Sequence, residues 1–318
     1  MVSVRKKRPL RMAVVLDPIA QLTFERDSSV LLMAEACARG HDVFYFTATD
    51  LQCRRGNLSA NMQRAQAFKQ SPYLQSLGQS VEPLASMDLI LIRKDPPFDA
   101  GYLYLTQLLD LLPPDVLCLN SPQGLRNANE KLFILNFPQW IAPTLVTCSL
   151  TQARHFFKEQ KSKVIIKPLN LFSGLGIEQA LSAAQLTEKF ERMTQSGSIP
   201  VMLQRMLRIE RGDKRVNVIN GRAIGTLLRL PKSGEYRSNL MFGGKAVQTT
   251  ITKHDHAVVE TIAPRLKKEG LFFAGLDLID GYLTEINVTS PTGYPSMNRL
   301  CGIKLESIAL DAIEKKLK

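Results

Sequence analysis

Several signatures that would assign a function to this chain of 318 residues directly are missing from it. No Gly-x-Gly-x-x-Gly follows the first predicted strand and no Walker A motif occurs, which excludes a nicotinamide-type Rossmann site and a P-loop. No apolar run approaches the roughly 18 to 20 residues of a membrane span, and the one after the basic start is too short for a signal peptide. The five cysteines have no close pairs, which excludes metal knuckles and a disulfide framework; they are Cys37, Cys53, Cys118, Cys148 and Cys301. We therefore expect a reduced, cytoplasmic protein without a membrane partner.

Acidic and aromatic residues are comparatively few. The chain has 41 Lys and Arg against 29 Asp and Glu, a net charge of +12, and 7% of its residues are aromatic. Five of the positive charges fall within residues 1–11, which we interpret as a basic flexible arm. A nucleic-acid contact is the alternative, but zinc-finger spacing, an RNP-type motif and aromatic residues for base stacking are lacking. We instead expect the positive charge of the remaining chain to serve anionic small molecules.

Strands and helices alternate in the first 120 residues. Short apolar runs predict four strands, at residues 12–16, 43–46, 88–92 and 116–119. A helix is predicted to begin near Asp27 and to end at Gly40. This alternation implies a mostly parallel sheet with helices on its faces. Ligands of such sheets bind beyond the carboxyl ends of the strands, where Asp17 and Arg93 are placed.

The second half of the chain predicts a mixed α+β structure with antiparallel strands. A helix is predicted to carry residues 129–131, and a strand at residues 163–167 ends at Lys167. A turn of small residues that contains Gly174 follows this strand. A lysine charge and backbone N–H groups at such a turn can hold phosphates, and Lys131 could reach the same pocket. 

Two arginines add to this interpretation. Arg215 and Arg229 suit the recognition of carboxylates or phosphates, because a guanidinium group binds both in bidentate fashion. 

A hairpin over residues 272–288 carries the most informative polar residues. Period-two geometry puts Glu285 and Asn287 on one strand face. A two-residue Asp-Gly turn would send Glu285 to the face opposite Asp277, whereas a three-residue loop pairs the two directly. The longer loop also collects apolar residues on the opposite face, and since one buried face fixes register, we predict the longer loop. Three oxygen-bearing side chains on one face suit Mg²⁺, although a solvated polar face would show the same pattern.

Six short segments form an ordered set of motifs. They are Asp-Pro-Ile-Ala at residues 17–20, Arg-Lys-Asp-Pro-Pro-Phe-Asp at 93–99, Asn-Glu-Lys-Leu-Phe at 129–133, Ile-Lys-Pro-Leu at 166–169, Gly-Asp-Lys-Arg at 212–215 and Leu-Thr-Glu-Ile-Asn-Val-Thr-Ser-Pro-Thr at 283–292. Together they resemble the prokaryotic glutathione synthetase family of the ATP-grasp superfamily. The resemblance runs from about residue 12 to the end of the chain, and its specificity comes from several long strings that occur together.

The resemblance implies an α/β and α+β chain: an ATP-grasp fold with an N-terminal parallel-sheet (pre-ATP-grasp) domain. The implied divisions are residues 1–11 as the arm, 12–121 as the N-terminal α/β substrate domain, 122–199 as the central ATP-grasp lobe and 200–318 as the C-terminal lobe, with a lid loop at 231–244.

The resemblance also implies a reaction. ATP would phosphorylate the cysteinyl carboxylate of γ-glutamylcysteine, and the amine of glycine would attack the acyl phosphate to give glutathione, ADP and phosphate. The implied cofactors are ATP and Mg²⁺, with Mn²⁺ as a possible replacement, and the implied assembly is a homo-oligomer.

Site roles follow from the matched motifs. Metal ions would be held by Asp277, Glu285 and Asn287. The nucleotide would be held by Lys131, Lys167, Gln204, Arg205, Ser173 and Gly174, with the Gln-Arg pair at the adenine. Arg215 and Arg229 would face the acyl phosphate, and the peptide and amine substrates would contact Asp17, Arg93, Asn239, Ser290 and Thr292.

The chain departs from the family pattern in three segments, of which the one between Gln204 and Arg215 is one residue short and lacks the usual Tyr and Pro. The phosphate-covering loop usually has glycines where this chain has Leu171 and Ser173, and glycines let backbone N–H groups approach phosphates closely. After Thr292 the family usually continues with Gly or Cys and then Ile-Arg-Glu, whereas here Gly293 is followed by Tyr-Pro-Ser, which lacks the arginine and the carboxylate. Two alternatives therefore stay open: a related ATP-grasp carboxylate–amine ligase with another acid or amine, and a catalytically silent ATP-binding homologue.

Overall fold

The structure, a computed structural model, describes residues 8–161, 163–172, 174–232, 234–235, 238 and 243–318. Two predicted site residues, Ser173 and Asn239, lie outside the described residues, as does part of the predicted lid loop.

The first sheet has seven strands and comes from the N-terminal third of the chain. Its strands are β1 (Arg11–Leu16), β2 (Asp42–Thr47), β3 (Leu51–Arg54), β4 (Asn57–Ala67), β5 (Leu74–Pro83), β6 (Leu89–Ile92) and β7 (Leu117–Leu119). Their order is β3-β4-β2-β1-β6-β7, and β5 also pairs with β4. Strands β2, β1, β6 and β7 are parallel, as predicted, whereas β3, β4 and β5 form an antiparallel meander.

The meander corrects the prediction of a mostly parallel sheet to a mixed one. In β4, Ala60, Met62 and Ala65 are buried, but β5 is exposed along almost its whole length. A strand that buries neither face has no apolar alternation, so the sequence gives no period-two signal for it.

The predicted basic arm at residues 1–11 ends earlier than expected. Arg11 belongs to β1, where it pairs with Asp42. Its guanidinium group forms an ion pair with Glu82 at 2.7 Å and lies 5.2 Å from the centroid of the Phe44 ring. These contacts fix the side chain against the sheet.

Two antiparallel sheets form the rest of the molecule. The second consists of β8 (Thr144–Thr147), β9 (Val164–Pro168), β10 (Glu178–Ala180) and β11 (Val201–Arg205), in the order β10-β9-β11-β8. The third consists of β12 (Asp213–Ile219), β13 (Arg222–Leu230), β14 (Lys245–Val247), β15 (Phe273–Ile279) and β16 (Tyr282–Asn287), in the order β14-β13-β12-β15-β16. Strand β11 follows the predicted lobe boundary at residue 199 but pairs within the second sheet.

Eight α-helices are present within the described residues. They are α1 (Ser28–Ala38), α2 (Ala100–Leu109), α3 (Pro122–Asn127), α4 (Leu150–Glu159), α5 (Ala183–Met193), α6 (Lys253–Lys268), α7 (Tyr294–Cys301) and α8 (Leu305–Lys316). Short 3₁₀ helices lie at Ile19–Gln21, Phe24–Arg26, Ala48–Asp50, Leu84–Ser86, Leu132–Asn136, Pro138–Trp140 and Ile209–Arg211. The first helix is confirmed, and its predicted cap Asp27 accepts hydrogen bonds from Ser29 N and Val30 N. None of the described helices has both the length and the apolar character needed to cross a bilayer.

The β15–β16 hairpin has the predicted pairing but a different turn. Asp277 pairs with Glu285, as predicted. The connection is nevertheless the two-residue Asp280-Gly281 turn, whose φ angles of 51° and 81° match the Asp-Gly preference of a type I′ turn. A bulge next to Asp277 supplies the extra residue that restores the pairing. 

Asn120 joins the first sheet to the third. It follows β7, and its buried Nδ2 donates to Phe273 O at 2.8 Å and to Val288 O at 2.6 Å. Its Oδ1 accepts a hydrogen bond from Phe273 N at 2.7 Å. One side chain therefore satisfies three backbone groups at this interface.

Asn120→Ala is expected to lower the free energy of unfolding by about 2–4 kcal/mol, because it orphans these backbone groups. Urea denaturation of the full chain measures the change. Asn57→Ala, at an exposed residue, is the control and should change stability by less than about 0.5 kcal/mol. Equal losses in the two variants would contradict the assigned role of Asn120.

Candidate active site

Lys167 is buried near the carboxyl end of β9. Its Nζ donates to Gln204 Oε1 at 2.9 Å, and Gln204 Nε2 donates to Thr144 Oγ1 at 3.0 Å. Burial, only partly offset by the carboxylate of Glu285, lowers the pKa of Lys167 to about 8. A cation that burial disfavours in this way gains from an anionic ligand such as a phosphate.

The segment at residues 129–131 is not helical, which corrects the prediction. It lies between α3 and the 3₁₀ helix Leu132–Asn136. Asn129 Oδ1 accepts from Lys131 N at 3.1 Å and from Leu132 N at 3.0 Å. The asparagine carboxamide oxygen thus takes the place of the carbonyl acceptors that a helix would offer these two N–H groups. It thereby fixes the backbone from which the Lys131 side chain projects.

Lys131 connects the metal-ligand candidates to the turn after β9. Its buried Nζ forms an ion pair with Glu285 Oε1 at 3.0 Å and donates a hydrogen bond to Leu171 O. The charges of Glu285 and Lys131 both act on the pKa of Lys167. The two lysines therefore lie on the same side of the site as Glu285, and their shared pocket stays a prediction.

The three metal-ligand candidates lie together on the hairpin. Asn287 Nδ2 donates to Asp277 Oδ2 at 3.0 Å, and Glu285 pairs directly with Asp277 across the strands. Asp277 is buried and accepts from Arg215 Nη2 at 2.8 Å. Although burial acts in the opposite direction, the guanidinium groups of Arg215 and Arg229 hold the pKa of Asp277 below its ordinary value.

Arg229 lies between two acidic residues. Its Nη2 is 2.6 Å from Asp213 Oδ2 and 2.8 Å from Asp277 Oδ1. Ser238, from the predicted lid loop, donates its hydroxyl to the same Asp213 oxygen at 2.8 Å. Arg215 and Arg229 are therefore brought together at one carboxylate, as their shared predicted role requires.

Glu130 is a site residue that the residue-level reasoning did not select. Its half-buried Oε1 accepts from Val288 N at 2.8 Å, from Thr289 N at 3.0 Å and from Thr289 Oγ1 at 2.8 Å. Burial, with the charge of Glu285 as a second cause, raises the pKa of Glu130. Its place inside the Asn-Glu-Lys motif was the available sequence signal. Because Glu130 lies at a bend and not in a helix or strand, no periodic pattern of apolar residues points to it.

Arg93 reaches the segment after β16 from the first sheet. It is 4% exposed, and it donates to Ser29 Oγ at 3.0 Å and to Pro291 O at 2.9 Å. Asp17 lies close to Arg93, because its carboxylate accepts a hydrogen bond from Nζ of the next residue, Lys94, at 3.1 Å. 

Ser290 and Thr292 belong to the same segment but differ in their contacts. Ser290 directly precedes Pro291, whose carbonyl accepts from Arg93, and Asp95 N donates to Asp17 Oδ2 at 2.6 Å. The side chain of Thr292 lies at an exposed position, and its carbonyl accepts from Asn217 Nδ2 at 3.3 Å. Ser290 thus joins the predicted substrate residues of the first sheet, whereas Thr292 lies toward β12.

The last two nucleotide candidates lie on β11 and in the turn after β9. Arg205 follows Gln204 on β11, and adjacent strand residues face opposite sides. Its guanidinium carbon lies 5.3 Å from the centroid of the Tyr282 ring. Gly174 lies in the turn after β9 with φ of 79°, a conformation that favours glycine.

The turn after β9 provides a test of the unusual loop residues. A Cβ built on Gly176 would lie 2.9 Å from Leu171 Cδ1, so Leu171 covers this glycine. Replacing Leu171 and Ser173 together by glycine is expected to tighten ATP binding several-fold, because backbone N–H groups can then approach the phosphates. Titration calorimetry checks this, with Leu181→Gly, at an exposed leucine, as control. Unchanged affinity would show that the bulkier residues are harmless.

Comparisons with solved structures define the fold. A D-cycloserine synthetase covers 96% of this chain and 100% of its own at a TM-score of 0.70 and 14% identity. An ATP-grasp ligase complexed with a precursor peptide variant, Mg and ADP covers 98% and 100% at a TM-score of 0.61 and 19% identity. D-alanyl-alanine synthetase A from Vibrio cholerae covers 98% and 99% at a TM-score of 0.60 and 14% identity. The chain has the ATP-grasp fold.

Sequence comparisons identify the family. The model of the prokaryotic glutathione synthetase N-terminal domain matches residues 10–126, and that of the ATP-grasp domain of the same family matches residues 130–302. The glutathione synthetase of Pseudomonas putida is 38% identical over 97% of this chain and 99% of its own length. That of Thermosynechococcus vestitus is 39% identical over 92% and 96%. The chain belongs to the prokaryotic glutathione synthetase family.

Proposed function

We propose that this protein joins γ-glutamylcysteine to glycine at the expense of ATP, forming glutathione, ADP and phosphate. The observation that carries the proposal is the Asp277–Glu285–Asn287 face, which meets two lysines and two arginines at one place. Phosphorylation turns the cysteinyl carboxylate into an acyl phosphate, so that phosphate leaves in place of a poor oxide leaving group.

The donor set fits a metal ion that also binds phosphates. Within the described residues no group of three or more His, Cys, Asp or Glu side chains could hold a metal by itself. Two carboxylates and one amide on one face suit Mg²⁺, which commonly binds one or two carboxylates plus substrate phosphates. Mg²⁺, or Mn²⁺ in its place, would be held by Asp277, Glu285 and Asn287 and would neutralise phosphate charge.

The chain's own residues supply positioning and charge. Lys131 and Lys167 hold the nucleotide phosphates, supported by their place on the same side of the site as Glu285. Arg215 and Arg229, aligned by Asp277, stabilise the charge that develops on the acyl phosphate. 

The remaining roles concern the base and the substrates. Gln204 and Arg205 lie at the adenine, and the turn at Ser173 and Gly174 covers the phosphates. The substrates contact Asp17, Arg93, Asn239, Ser290 and Thr292, and the lid loop excludes water from the acyl phosphate. The role of the lid loop is supported by the hydrogen bond from Ser238 Oγ to Asp213 Oδ2.

The proposal extends to assembly and location. The protein acts on small molecules in the cytoplasm as a homo-oligomer, and it has neither a membrane nor a nucleic-acid partner. Light scattering after size exclusion tests the oligomer, and a monomer would contradict it.

Phosphate release from Mg·ATP and γ-glutamylcysteine, with and without glycine, tests the reaction, with mass analysis of the product. Glycine-dependent release with glutathione formed is the expected result. Release with another amine but not with glycine would assign the protein a different acceptor. No release with any amine would overturn the proposal in favour of a silent ATP-binding homologue.

A further inference from the structure

Glu130 holds the end of β16 through its backbone and its side chain at once. Its carbonyl oxygen accepts a hydrogen bond from Ile286 N at 3.0 Å, within the strand. Its Oε1 accepts from Val288 N at 2.8 Å, from Thr289 N at 3.0 Å and from Thr289 Oγ1 at 2.8 Å. This one residue therefore binds the chain on both sides of the point where β16 ends.

The donors that Glu130 Oε1 serves lie just beyond the hydrogen-bond ladder of the sheet. Strand β16 ends at Asn287, which pairs with Gly275, and Val288 and Thr289 follow it at 0% and 5% exposure. Buried N–H groups beyond a ladder need another acceptor, because water does not reach them. The carboxylate supplies that acceptor, and an ionised group makes such bonds stronger than a neutral one. 

The stretch that Glu130 holds has a proposed functional residue on each side. Asn287, one of the proposed metal ligands, directly precedes Val288, and Ser290, a proposed substrate contact, directly follows Thr289. The sheet fixes Asn287 by strand pairing, whereas Ser290 lies beyond the end of β16. The position of Ser290 relative to the metal-binding face therefore depends on how residues 288 and 289 leave the strand.

The neighbours of Glu130 are anchored without its carboxylate. Asn129 Oδ1 accepts from Lys131 N at 3.1 Å and from Leu132 N at 3.0 Å, and Asn129 Nδ2 donates to Leu169 O at 2.9 Å. These bonds fix the backbone that carries Lys131. A change confined to the Glu130 carboxylate should therefore reach the segment after β16 and leave Lys131 in place.

We propose that Glu130 is a positioning residue for the acid substrate: its carboxylate sets the place of Ser290 beside the metal-binding face. This inference rests on the proposed function, in which Ser290 contacts γ-glutamylcysteine. Glu130 acts through Thr289 and does not contact the substrate itself. When the segment leaves its binding position for part of the time, the apparent affinity for the peptide falls by that fraction. 

Calorimetric titrations of the full-length protein test the proposal, first with a non-hydrolysable ATP analogue and Mg²⁺, and then with γ-glutamylcysteine added to that complex. Glu130→Ala should weaken peptide binding about 10-fold to 100-fold, the range for losing hydrogen bonds to a charged group, and nucleotide binding less than about threefold. Glu130→Gln keeps an acceptor oxygen and should recover most of this loss. Glu188→Ala, at an exposed glutamate of α5, is the control and should change neither affinity. 

Two variants of Thr289 provide a second test that leaves no cavity at Glu130. Thr289→Val keeps the size of the side chain and removes the hydrogen bond from Oγ1, so we expect peptide binding to weaken about 3-fold to 10-fold. Thr289→Ser keeps the hydroxyl and should stay within about twofold of the wild type. In the double variant Glu130→Ala/Thr289→Val, the loss should equal that of Glu130→Ala alone, because the shared hydrogen bond is already gone.

Equal losses of peptide and nucleotide affinity in Glu130→Ala and Thr289→Val would overturn the proposal, because Glu130 would then support the whole site and not the peptide segment. Unchanged peptide affinity in Glu130→Ala would overturn it as well. Failure of the proposed function is distinguishable: a wild-type protein that binds γ-glutamylcysteine but forms no product contradicts the reaction, and the affinities of the variants still decide the role of Glu130. A wild-type protein that does not bind γ-glutamylcysteine would overturn both.

Discussion

Glu285→Ala is expected to abolish Mg·ATP turnover, a loss of at least about 10³-fold, while the protein stays folded. Glu285 is partly exposed, with a side chain 20% accessible, and its ion-pair partner is Lys131. Among the three proposed metal ligands, Glu285 has the more accessible carboxylate, since Asp277 is buried, and its removal takes that carboxylate away. The apolar side of β16 is untouched, since Ile286 and Val288 stay buried.

The measurement is phosphate release with γ-glutamylcysteine and glycine, with thermal unfolding recorded for the same sample. Asp280→Asn is the matched control, because Asp280 lies on the same hairpin but pairs with Arg208 and Arg211 at the surface. Asparagine also tolerates the positive φ of this turn position. Full activity in Glu285→Ala would remove Glu285 from the metal assignment.

Lys167→Met is expected to weaken ATP binding by about 10-fold to 100-fold, the range for losing a charge-assisted hydrogen bond. Its burial makes the effect depend on pH. With a pKa of about 8, Lys167 loses its charge as the pH rises through that value, so ATP affinity should decline above pH 8. In the variant this part of the pH dependence should be absent.

Stability should respond in the opposite direction. Between about pH 8 and the ordinary lysine pKa of 10.5, the unfolded chain binds a proton at Lys167 that the folded, ligand-free protein does not. This residue alone therefore makes the ligand-free protein more stable as the pH rises through that window. Calorimetric ATP titrations and denaturation curves at several pH values measure both effects.

Lys163→Met is the control for these experiments. Lys163 immediately precedes the same strand but is exposed. It should change neither affinity nor its pH dependence by more than about twofold. If Lys167→Met lost ATP affinity but kept the wild-type dependence of that affinity on pH, Lys167 would not titrate near pH 8.

The hairpin shows how far sequence reasoning reaches. The buried apolar face of β15 and β16 was sufficient to predict that Asp277 meets Glu285. The type of turn that produces this pairing was not predictable from the apolar face. A three-residue loop and a two-residue turn with a bulge both place Asp277 opposite Glu285. The Asp-Gly signal was correct for the turn, and the bulge reconciles the two.

The missed parts have a common physical cause. Strand β5 buries neither face, so no alternation marks it, and its existence depends on its pairing with β4. The bend at Asn129 depends on one side chain that accepts from two backbone N–H groups. Glu130 reaches the end of β16, more than 150 residues away in sequence. Sequence patterns reveal buried apolar faces through the spacing of apolar residues, and none of these three features has such a face.

The contacts around residues 288–291 also bear on the order in which the chain can mature during synthesis. Asn120, Glu130 and Arg93 each hold this segment through its backbone, and they come from parts of the chain made much earlier. A nascent chain can form the parallel strands of the first sheet, but these three side chains gain their contacts with residues 288–291 only after that segment has left the ribosome. Completion of these contacts is therefore a late step of synthesis, and a ribosome stalled before that residue would display the parallel strands without them.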